Sequence, residues 1–117
     1  MKEFLNDIQK FNKMYGLPNQ SKLNWLGKER LEKFKSILSE EVEEADEIIE
    51  NMSKSPSDQL ESFTMLADWL GDIMVYCASE ARRWGIPIEH VLKDIMESNF
   101  SKSVSYTHLT LPTIYSV

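Results

Sequence analysis

Residues 63–78 read FTMLADWLGDIMVYCA. No proline interrupts this run, and its apolar side chains cover nearly every side of a helical wheel. It is too long for an ordinary strand, which spans about 5–6 residues. A helix apolar all round is predicted to be central and packed by neighbours on every side. Its ends are also readable. Asp58 is a plausible N-cap, with Glu61 three residues later as in a capping box. Gly85 follows Trp84 as a residue able to take positive φ and stop the helix. The reading is therefore a helix over 59–84.

Working outward, the flanking segments are helical too. Phe4, Leu5, Ile8, Phe11 and Tyr15 recur at helical spacing, predicting a helix over 2–15 that stops at Gly16-Leu17-Pro18. Residues 19–27 read as a polar loop containing Trp25. Leu31, Phe34, Leu38, Val42, Ala45, Ile49 and Met52 form an apolar stripe over 28–52, closed by a loop at 53–57 with Pro56 as breaker. Pro87 suits the first turn of a fourth helix, whose buried face is Ile88, Val91, Leu92, Ile95 and Met96 and which is expected to end near Asn99. The fold class is all-α: four antiparallel helices in one domain, residues 1–102. Residues 103–117 lack a helical period. SVSYTHL (103–109) matches the conceptual translation of a common transposase-derived sequencing adapter, so this tail is expected to be non-native or disordered.

Composition narrows the function. Thirteen Lys plus Arg against nineteen Asp plus Glu leave a net charge of −6, which argues against a nucleic-acid or anionic-membrane binder. A small phosphate ligand stays open, because a metal ion inverts the local field. Cys77 is the only cysteine, so a reducing, cytoplasmic compartment is expected. No signal peptide is expected from the charged N-terminus, and no transmembrane helix, since no apolar run approaches about eighteen residues. A core this small would gain from oligomerisation.

The chemistry lies in acids placed where acids are costly. On the second helix Glu41 falls inside the apolar stripe and Glu44 at its edge. On the third, Asp68 and Asp72 stand four apart in an apolar run, with Arg82 and Arg83 about three turns downstream. A buried carboxylate needs a partner, and two together repel unless a cation or a proton relieves them. Two helices each offering two inward carboxylates suit Mg²⁺, with Mn²⁺ possible. The competing reading is an acidic pair buried against Lys or Arg of another subunit. His90 and His108 fall outside the pattern, which disfavours zinc or di-iron.

Glu40-Glu41-Val42-Glu43-Glu44 resembles the EExxE motif of the MazG and phosphoribosyl-ATP pyrophosphohydrolase superfamily. Its second motif is usually ExxD; here Asp72 takes the Asp place, Trp69 stands where Glu is expected, and Asp68 precedes it. FNKMYGLP, LADWLGDIMVY, the Gly-Ile-Pro turn and Ser98-Asn99-Phe100-Ser101-Lys102 are similar, in order, to segments of a MazG-like subgroup. The likeness spans about residues 4 to 102. Members of that subgroup continue with a Gly-, Lys- and Pro-containing tail that this chain lacks. The resemblance implies a helical bundle completed as a homodimer or homotetramer. It also implies a magnesium-dependent nucleotide pyrophosphohydrolase that cleaves the α–β bond of a nucleoside triphosphate or related nucleotide. Glu41, Glu44 and Asp72 would be metal ligands, with Asp68 beside them. Glu40 would be the catalytic base, and Asn99 and Lys102 would contact phosphate.

Two other functions compete. A non-catalytic helical interaction module would keep the apolar stripes without needing Asp68 and Asp72. A phosphohydrolase releasing a single phosphate would differ only in its product. Tyr15, Trp25 and Trp69 are candidates to stack on a base, although aromatics at helical spacing usually pack in cores.

Overall fold

The computed structural model describes residues 1–54 and 57–108, with side chains as far as Lys102; Pro56 and residues 109–117 lie outside it. Five helices follow in order: α1 Lys2–Met14, α2 Lys28–Glu43, α3 Ala45–Lys54, α4 Gln59–Trp84 and α5 Ile88–His108. No strand occurs among the described residues. None of these helices is long and apolar enough to cross a membrane.

The four expected segments are present, with two differences. The second is interrupted at Glu44, so that α2 and α3 replace one continuous helix. The fourth runs past Asn99 to His108, so residues 103–108, expected to belong to the tail, are helical. The boundaries of α4 agree with its signals. The Asp58 carboxylate accepts the Glu61 amide at 3.3 Å. Gly85 has φ 67° and ψ 26°, the left-handed conformation that glycine adopts without steric cost.

The loop between α1 and α2 docks on the far end of α4. The last carbonyls of a helix have no partner within it. Here the loop supplies the donors: the Gln20 amide to the Arg82 carbonyl and the Asn24 amide to that of Trp84, both at 2.8 Å. The Asn24 side chain donates to the Arg83 carbonyl at 3.3 Å. A Cβ on Gly85 would collide with the backbone of Lys22, so glycine is required for this close approach as well as for its φ. Asn12, 1% exposed, fastens α1 to the same region: its side-chain oxygen accepts from the Ser79 hydroxyl at 3.3 Å.

Helix α4 packs on α1, α2 and α3, and the described part of α5 makes no extensive contact with any of them. The expectation that α4 is covered on all sides is therefore corrected for the single chain. Only Ser62, Ala78 and Ala81 are buried along it, while Leu60 is 78% exposed and Phe63 64%. The stripe of the second segment is corrected too. Leu31, Val42, Ile49 and Met52 are exposed. The covered face of α2 and α3 instead carries Phe34, Ile37, Leu38, Glu41, Ala45 and Ile48. The inward side is rotated from the stripe and centred near a carboxylate.

Candidate metal centre

Glu41 is buried at the C-terminal end of α2, and its Oε1 accepts no hydrogen bond. Such an atom in a folded protein calls for an explanation, since buried polar groups are almost always paired. The Glu44 carboxyl stands within hydrogen-bonding reach, and Asp72 is close enough to act on the same charge. Burial first, then Glu44, then Asp72 push the Glu41 pKa above the ordinary carboxylate range. Glu44, at the break after α2, and Asp72, on α4, thus both bear on the charge of Glu41.

One expectation is corrected, the burial of the acids on α4. Asp68 and Asp72 are exposed rather than buried in a core, because α4 has neighbours on only part of its circumference. Neither has an ion pair among the described residues. Glu40 and Glu44 are exposed. Asn99 is exposed and Lys102 half-buried on α5, which does not pack extensively against α2, α3 or α4. Among the described residues, no three His, Cys, Asp or Glu side chains stand close enough together to form a ready-made metal cage. The donor set is nonetheless all oxygen, as hard divalent cations prefer. A cation would satisfy the unpaired Glu41 oxygen.

Two features were not anticipated. The Trp69 indole N–H donates to the Glu41 backbone carbonyl at 2.7 Å. The residue that departs from the ExxD pattern therefore touches the acid motif itself. The second is a cavity of about 500 Å³ between α2, α4 and the docked loop, lined by Trp25, Leu31, Phe34, Cys77 and Trp84 among others. The Trp25 and Trp84 rings meet edge to face at 6.0 Å. Of the proposed stacking residues, only Trp25 lines it; Tyr15 packs on Phe11, ring centroids 4.6 Å apart. Beside the cavity, Glu80 accepts Arg30 through both oxygens and Trp84 Nε1 at 2.7 Å. The signal in the sequence was a Glu late in an apolar helix, which is informative only once Arg30 is known to lie opposite.

Fold and site together define an all-α domain with a buried, unpaired glutamate next to a helix break. Comparison with models of protein families, with curated proteins and with solved structures finds no match.

Proposed function

We propose that this chain is a MazG-like, magnesium-dependent nucleotide pyrophosphohydrolase. The observation that carries the reading is the buried, unpaired Glu41 oxygen, on whose charge Glu44 and Asp72 both act. An interaction module has no use for that arrangement.

Glu41, Glu44 and Asp72 would hold Mg²⁺ or Mn²⁺, with Asp68 one turn earlier on α4. The ion would offset phosphate charge and help orient water for attack. In the reaction a water oxygen bonds to the α-phosphorus, the α–β bridging bond breaks, and its electron pair leaves with pyrophosphate. Glu40, exposed beside Glu41, takes the water proton. The resemblance assigns phosphate contact to Asn99 and Lys102, although α5 does not pack extensively against the acid-bearing helices of the same chain. Cys77 is free, which fits a cytoplasmic setting.

The working form is a homo-oligomer, a homodimer at least. Leu60, Phe63, Ala67, Leu70, Met74 and Cys77 are all exposed and recur at alternating steps of three and four, the seam spacing by which one helix packs along another. The radius of gyration is 17.9 Å, against roughly 13 Å expected for a compact domain of this length. Both observations fit a fold completed by a second copy.

A nucleotide panel with Mg²⁺, read for pyrophosphate and for orthophosphate separately, tests the reading. Pyrophosphate release supports it. Orthophosphate alone would assign a phosphohydrolase, and no turnover with any nucleotide would leave the interaction module.

A further inference from the structure

The break between α2 and α3 falls at Glu44, where the Glu41 carbonyl lacks its regular helical partner. In a regular α-helix that oxygen accepts the amide four residues on, here Ala45. Instead it accepts the Trp69 indole at 2.7 Å and the Glu44 amide, three residues on, at 3.2 Å. The next bond has the same tight span, from the Glu47 amide to the Glu44 carbonyl at 3.2 Å. Glu44 itself has φ −62° and ψ −17°, close to 3₁₀ values. A side chain inserted into the hydrogen-bond ladder is a known cause of a helix break.

We propose that Trp69 is a positioning residue for the acid cluster: by occupying the Glu41 carbonyl, its indole N–H holds the helix open at Glu44 and aligns the Glu44 carboxylate with that of Glu41. The geometry gives the reason. In an α-helix, residues three apart diverge by about 60° around the axis. In a 3₁₀ turn they eclipse. The tightened turn therefore sets positions 41 and 44 nearer to one line along the axis than a regular α-helix would, at the cost of the Ala45-to-Glu41 bond. Trp69 also lies three residues before Asp72 on α4, so the segment that contributes Asp72 also sets the turn that presents the other two acids. The role of this alignment in metal binding rests on the function proposed above; the helix break does not.

Trp69→Phe keeps an aromatic ring and removes the N–H. Two measurements separate the possibilities. The first is the scalar coupling across a hydrogen bond between the Ala45 amide nitrogen and the Glu41 carbonyl carbon. It should be absent in the wild type and appear in the variant, as the helix closes. The second is calorimetric Mn²⁺ affinity, which should fall about tenfold, the lower end of effects seen when a group orienting a ligand is lost. A purely structural tryptophan would lower the melting temperature and leave Mn²⁺ affinity unchanged. Equal Mn²⁺ affinity in both proteins, or no new coupling in the variant, overturns the proposal. A wild type that binds no Mn²⁺ overturns the proposed function and with it the metal-positioning role, while the coupling still reports whether Trp69 holds the break. If the phenylalanine variant does not fold, 3-benzothienylalanine at position 69 retains the size of the ring system without the N–H, and the same two readouts apply.

Discussion

Arg30 grips Glu80 with two hydrogen bonds, Nε to Oε2 at 3.0 Å and Nη2 to Oε1 at 2.6 Å, and so ties the first turn of α2 to the last turns of α4. The side chains are only 18% and 11% exposed, so this is no loose surface pair. Burial alone would raise the Glu80 pKa. The hydrogen bonds from Arg30 and Trp84, with the charges of Arg30 and Arg83, outweigh it and hold the carboxyl below its ordinary value.

That direction fixes a pH dependence. A carboxylate whose pKa is lowered by folding contributes stability that is complete above its unfolded pKa and is lost as the pH falls through the folded value. Glu80→Gln should cost about 2–3 kcal/mol at neutral pH, because Arg30 loses its charge partner while half-buried. The same variant should lose less stability on acidification than the wild type. Thermal melts of both proteins at stepped pH check this, and parallel acid limbs would contradict it.

Glu41 works in the opposite direction. Its pKa is raised by burial, Glu44 and Asp72, so ionising it without metal opposes folding. In the metal-free protein the Glu41 contribution should be complete below the ordinary carboxylate pKa and be lost as the pH climbs through the raised value. Glu41→Gln should melt at or above the wild-type temperature in chelator at neutral pH, and should bind Mn²⁺ far more weakly. A large fall in melting temperature would mean that the carboxylate is itself a structural partner.

Asp72→Asn is expected to fold normally, since Asp72 is exposed and has no ion pair among the described residues. Under the proposed function it should lose most pyrophosphate release, because charge developing on the phosphates is offset less well. Circular dichroism with a pyrophosphate assay decides it, and full activity would remove Asp72 from the site.

The exposed seam of α4 predicts self-association. The wild type should sediment at twice the 13.6 kDa chain mass or more at micromolar concentration. Leu70→Glu combined with Met74→Glu places two charges on that seam and should yield the monomer. A wild type that stays monomeric would refute the assembly.

Gly85→Ala should be among the most damaging single changes. The left-handed φ alone costs a non-glycine residue about 1–3 kcal/mol. The added methyl must also displace the Lys22 backbone. Denaturant melts should show a loss larger than that of a Gly→Ala change strained in φ alone.

The helices that could be read from the sequence are those whose signals are local. Asp58, Glu61 and Gly85 delimit α4 without reference to anything outside it. The break at Glu44 could not be found this way, because its cause is a tryptophan 25 positions away on another helix. The α2 stripe misled for a related reason. Periodicity finds an apolar face but not what lies against it, and Val42 and Ile49 are exposed while Glu41 is covered. Asp68 and Asp72 have apolar neighbours in sequence that do not enclose them in space, which periodicity does not reveal. The length of α5 was hidden by Ser and Thr residues, which are weak helix formers. At the candidate site, a costly acid at Glu41 could be read from its place in the apolar stripe, whereas the Trp69 contact with its carbonyl could not.

The docking of the α1–α2 loop on the end of α4 has a consequence for how the domain comes apart. Gln20 and Asn24 satisfy carbonyls some sixty residues away in the chain. Neither the loop nor the last turn of α4 keeps these bonds if the other leaves. They form one cooperative opening unit, and a subglobal opening that releases the loop must also fray the helix. Trp25 and Trp84, edge to face across that junction, would separate in the same event. Under native conditions, the amides of Gln20, Asn24 and Ile86 should therefore exchange with one shared opening free energy, and tryptophan fluorescence should report the same step.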